Sequence, residues 1–203
     1  MRRMPAGRRP TPIHSHALDN LDFIRSTMER AAGFSAVPGW GGMWMGISAV
    51  ATAAIAHPAA GTRRWAAFWL ADAAVAVIIG VNAMVLKARR SGTSLSGAAA
   101  RRFALAFLPP ILAGVVLTAV MLSRGAIRDL PGCWLLLYGT AVTAGGAFSV
   151  RAVPLMGVCL MVLGAAAFAA PAASITAGNF FMAAGFGLLQ IVFGIVIARK
   201  HGG

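Results

Sequence analysis

Acidic side chains are nearly missing from this sequence: five Asp and Glu stand against eighteen Lys and Arg in 203 residues. Charge of either sign reaches only 11% of the chain and hydrophobic residues reach 59%, with a mean hydropathy of +0.77. That balance excludes an ordinary soluble domain and matches a membrane protein. Histidine and cysteine are as sparse. His14, His16, His57 and His201 form no metal-spaced cluster with carboxylates or cysteines inside an apolar run, and His14 with His16 in a polar tail is too small a ligand set to make a centre. No Ser/His/Asp arrangement is legible. The chain is therefore expected to be no enzyme and to use no metal or cofactor. Cys133 is expected near the outer face of the membrane and Cys159 nearer the inner one, a separation that excludes a disulfide within one molecule and leaves both as apolar filler.

Long apolar runs are what the sequence has in abundance. A bilayer core of about 30 Å needs about 20 helical residues, each rising ~1.5 Å. Six runs answer to that length, at 38–57, 65–86, 103–123, 131–150, 152–170 and 175–198. Each is bounded by charge, Pro or Gly. Unpaired backbone groups are costly in lipid, so the runs are helices or a closed barrel, and the lack of strand-like alternation selects helices. The predicted fold is all-α, a polytopic six-span bundle over residues 36–198. Residues 1–14 and 199–203 are expected as cytosolic tails, and 15–33 as an amphipathic helix in the cytosol or at the membrane interface.

The basic residues are placed unevenly. Fourteen of the eighteen fall in the N-terminal segment, in 87–102, at Arg151 and at Arg199 and Lys200; only Arg63, Arg64, Arg124 and Arg128 fall on the other side. This positive-inside bias puts both termini in the cytoplasm and accounts for the net charge without nucleic acid as a partner. The leading "MRRMPAGRRPTP" is followed closely by neither a short apolar core nor a small-residue cleavage site, so it reads as a tail able to touch anionic headgroups, with the first span as an uncleaved anchor.

In "SHALDNLDFIRSTMERAAG", Leu18, Leu21, Ile24, Met28 and Ala31 recur at spacings of three and four and share one helix face. Ser15 suits the N-cap, Asp19 the first turn and Gly33 the stop. Such a helix lies on the headgroup plane, packs on cytosolic loops, or offers residues 16–32 to a protein partner.

Next comes "AVPGWGGMWMGISA", glycine-rich enough to suggest a phosphate loop. A dinucleotide fingerprint needs a strand before it and an acidic residue about 20 positions on, and a P-loop needs a Lys-Ser/Thr pair. Neither context is present. Gly42 and Gly46 instead stand four apart on one helix face, where small residues let another helix approach closely. The run from Ala36 also partly matches "AVPLMGVCLMVLGAAAFAAPA" from Ala152, at Ala-Val-Pro, Gly41 with Gly157, and Met45 with Met161. This leaves two accounts: tandem helical-hairpin repeats of the kind transporters use, or chance likeness between Ala-rich spans.

Polar groups inside spans are costly and often functional. Asp72 is the sole acidic residue in any predicted span, and counting inward puts Thr52, Thr118 and Tyr138 at a similar depth, with Asn179 nearer the outer surface. Arg63 and Arg64 stand close enough to reach toward the carboxylate. These five residues are the candidate cluster, read either as a solute or proton site or as structural hydrogen bonding. One carboxylate without a second titratable partner makes a poor proton relay, which favours the structural reading. Asn82 and Gln190 in the inner half read as interhelical glue, and Pro109 and Pro110 should kink the third span.

The run "HALDNLDFIRSTMERAAGFSAVPGWGGMWMG", residues 16–46, resembles the N-terminal region of a group of uncharacterised bacterial multi-pass membrane proteins. The resemblance implies a bacterial inner-membrane setting and carries over no activity and no site residues. The expected function is a non-enzymatic interaction or regulatory membrane protein embedded in the bilayer, with a homo-oligomer left open. The alternative is a small-solute transporter or channel-like protein using the level around Asp72.

Overall fold

The computed structural model describes residues 37–92, 95–147, 149–170 and 176–201, together with Asn20. The tail predicted at 1–14 and, Asn20 apart, the amphipathic helix predicted at 15–33 lie outside the described residues. Residues Phe34–Gly203 form one compact unit, and among its described residues every regular element is helical.

Six long helices follow one another: α1 Gly39–Ala56, α2 Arg63–Ser91, α3 Ala98–Arg124, α4 Leu130–Gly146 and α5 Ala152–Ala169, then α6. The last is built from Ala177–Met182, a π-helical stretch Ala183–Leu189 and Gln190–His201. Helix α2 starts on Thr62, whose hydroxyl accepts from the Trp65 amide, and stops at Gly92 with φ +64°. That left-handed terminus favours glycine. Helix α3 runs through Pro109 and Pro110 as one continuous helix.

Four helices, α2, α3, α5 and α6, are long and apolar enough to cross a membrane. Helix α1 is diluted by four glycines, two tryptophans, Ser48 and Thr52, and α4, at 17 residues, ends four residues short of the expected 150. At ~1.5 Å per residue, α4 is about 25 Å long against a core of about 30 Å.

Glycine explains how the helices meet. Along α4 and α5, Gly139 lies opposite Gly157, Gly132 opposite Gly164, and Gly146 opposite Val153 and Pro154. Along α1 and α6, Gly46 lies opposite Gly187, and Gly39 opposite Gly194 and Ala198. Both pairs are antiparallel, and the missing side chains bring backbone onto backbone. Gly46 sits at the close approach of α1 to α6. A methyl group there would stand 2.7 Å from the Gly187 carbonyl oxygen, whereas at Gly42 its nearest neighbour would be the Gly194 Cα at an ordinary 3.4 Å.

Helix α2 leans on α1, with Lys87 Nζ donating to the Val37 carbonyl at 2.9 Å, and α3 leans on α4 through Phe103 against Gly145. The buried core lies among Trp65, Trp69, Leu130, Leu135, Leu160 and Met182. Helices α2 and α3 turn Val77, Ile78, Leu105, Leu112, Val115 and Val116 outward, each more than 60% exposed. An apolar surface this continuous is fit for lipid rather than water.

Candidate functional site

The five residues expected as one cluster are shared among three separate nodes. Only Thr52 joins Asp72. The carboxyl of Asp72 on α2, 8% exposed, has the hydroxyls of Ser48 and Thr52 on α1 as its side-chain hydrogen-bond partners. Ser48 and Thr52 are four apart and so present both hydroxyls on one face of α1. Ser48 was legible from that spacing and was missed because serine so often bonds its own helix; its Oγ also donates to the Met45 carbonyl at 2.8 Å. The guanidinium groups expected to reach Asp72 go elsewhere. Arg63 Nη2 donates to the Leu122 carbonyl at the end of α3, at 3.3 Å, and Arg64 lies over the Phe68 ring, 5.6 Å from its centroid.

Asn179, expected near the outer membrane face, is 5% exposed and makes three side-chain hydrogen bonds. Its Oδ1 accepts from the indole nitrogens of Trp65 at 2.9 Å and Trp69 at 3.2 Å, and its Nδ2 donates to the Ala53 carbonyl at 2.9 Å. One carboxamide thereby ties α6 to α2 and α1. Trp65 and Trp69 are again four apart, so both indoles reach the same point. Trp65 stacks on Trp134 of α4, with centroids 5.9 Å apart and planes 9° from parallel. Trp134 in turn donates to Thr118 Oγ1 of α3 at 2.8 Å, and Thr118 donates to the Gly114 carbonyl. Thr118 therefore belongs to this node.

Tyr138 forms the third node with Gln190, whose Nε2 donates to the phenol oxygen at 2.9 Å. Phe107 meets the Tyr138 ring edge-on at 6.2 Å and Phe186 lies 5.1 Å away. Gln190 thus bridges α6 to α4 as interhelical glue, as expected. Asn82 does not serve that role within this chain: its Nδ2 donates to the Ile78 carbonyl of its own helix. Phe186 sits inside the π-helical stretch, which lies between Asn179 and Gln190, and π segments often mark functional positions.

Among the described residues no group of three or more His, Cys, Asp or Glu side chains comes together to hold a metal. Cys133 and Cys159 are free thiols. The nodes can lock helices to one another, and the Asp72 node adds a buried carboxyl. Fold and nodes together define a tightly seamed helical bundle whose surface suits a membrane. No family model matches the chain, and neither does any curated protein or solved structure.

Proposed function

We propose that the chain is an integral protein of a bacterial inner membrane that crosses the bilayer six times with both termini in the cytoplasm. Its role is non-enzymatic, an interaction or regulatory function exercised through residues 16–32. The resemblance over residues 16–46 supports the bacterial setting, and the excess of basic residues at the end of the bundle where α1 begins supports the orientation. The observation that carries the functional reading is the fate of the interior polar groups. Thr118, Tyr138, Asn179 and Gln190 are each hydrogen-bonded to a neighbouring helix. A bundle locked in this way is a platform, and the N-terminal amphipathic segment is the part left to recognise a partner. Deleting residues 16–32 should remove a stoichiometric protein partner from native mass spectra of the gently extracted protein while the thermal unfolding of the bundle is unchanged. Retention of the partner by the deleted chain would reject this role for the segment.

A second reading, transport of a small solute, rests on Asp72, a buried carboxyl answered by two hydroxyls. Asp72→Asn separates the two. Transport predicts that the variant, reconstituted in vesicles, loses solute or proton flux with its stability kept. The platform predicts a loss of about 1 kcal/mol of stability, typical of an interhelical hydrogen bond in lipid, and no specific flux defect.

A further inference from the structure

Apart from Asp72, Asn82 is the strongest polar group in the apolar stretch of α2, and it faces outward. Its one hydrogen bond goes from Nδ2 to the Ile78 carbonyl of the same helix at 2.8 Å. That leaves the amide oxygen and the second N–H turned toward the surroundings of the bundle. At ~1.5 Å per residue, Asn82 lies about 10 Å from the middle of the predicted span, inside the ~15 Å half-thickness of the hydrocarbon. Lipid tails answer neither group.

We propose that Asn82 is the centre of a two-fold contact between two copies of this chain, α2 against α2. A carboxamide is both donor and acceptor, so the partner that best satisfies it is another carboxamide. A two-fold axis along the membrane normal sets the two Asn82 side chains at equal depth, where each oxygen accepts from the other's N–H. The surrounding face suits this. Ala71, Val75, Ile78 and Asn82 recur at spacings of four, three and four on one side of α2, and all four are exposed. Ala71 keeps the face low enough for close approach. The charges on the same side stand clear of the crossing: Arg64 is drawn over Phe68, and Arg89 lies about 10 Å further along the axis, where crossing helices have separated and the guanidinium reaches the headgroups. The contact is independent of any role for residues 16–32.

The test uses the full chain in membranes. In a background carrying Cys133→Ala and Cys159→Ala, mild oxidation should give a covalent dimer with Val75→Cys and with Ile78→Cys, both of which keep Asn82. Val77→Cys, about 140° round the helix from Asn82 and also exposed, should give none. With the native cysteines retained, Asn82→Leu should weaken dimerisation about tenfold, as judged by single-molecule photobleaching at graded protein density, while Asn82→Gln keeps it. Because residue 82 faces outward, leucine there leaves the fold intact. Cross-linking that is as efficient at Val77, dimerisation unchanged in Asn82→Leu, or a chain that stays monomeric at every density would each overturn the proposal.

Discussion

Gly157→Ala should destabilise the bundle by about 3 kcal/mol, the upper range for forcing extra volume into a packed interior. The added methyl carbon would collide with Thr143 Oγ1 and come within 2.6 Å of both the Gly139 carbonyl oxygen and the Thr143 amide nitrogen. Two of those three atoms are backbone, so no rotamer change relieves the contact and α4 has to move away from α5. Gly139→Ala should cost as much, because its methyl group would stand 2.7 Å from the Gly157 carbonyl oxygen and 2.9 Å from the Met161 amide nitrogen. Gly114→Ala is the contrast. Its methyl group would rest 3.6 Å from Leu137 Cδ1, an ordinary contact, and alanine is the better helix former by up to about 1 kcal/mol. Reversible unfolding in mixed micelles would read all three. If Gly157→Ala is as stable as the wild type, backbone contact does not hold α4 to α5.

The helices were legible in the sequence because runs of apolar residues in lipid have almost no other way to satisfy their backbone. Their unequal roles were less so. Gly42 and Gly46 look alike in sequence, four apart on one face, yet only at Gly46 does the neighbouring backbone come too close for a methyl group. Which glycines lie at the crossing depends on the direction from which α6 approaches, and a single helix does not encode that. The seven-residue spacing of Gly132, Gly139 and Gly146 opposite Gly157 and Gly164 was visible and is the stronger seam.

The polar residues teach a related lesson. Counting from span ends estimates depth, and depth did bring Thr52 to Asp72. It says nothing about rotation around the helix axis, which sends Tyr138 to Gln190 and Thr118 to Trp134. The π-helical stretch at Ala183–Leu189 has no mark in sequence beyond its two glycines, and it alters the rotation of everything after it.

Asn179→Ala should cost about 4 kcal/mol and should do so through the tryptophans. Interhelical hydrogen bonds in membrane proteins average about 0.6 kcal/mol, but this truncation removes three at once and leaves two buried indole N–H groups unanswered, which adds about 1 kcal/mol or more for each. Trp65 and Trp69 are 2% and 3% exposed, so water does not readily replace the lost acceptor. Intrinsic fluorescence should report loosening of this node at lower denaturant than in the wild type. The decisive form is a double-mutant cycle with Trp69→Phe. If the 3.2 Å bond from Trp69 to Asn179 contributes as the geometry implies, Trp69→Phe costs less in the Asn179→Ala background than in the wild type, because the indole N–H then has nothing left to lose. Additive effects would mean that the two residues stabilise the bundle separately. A solute-binding role for Asn179 makes the opposite prediction, unchanged stability with altered binding. The same cycle therefore distinguishes a lock between three helices from a ligand site.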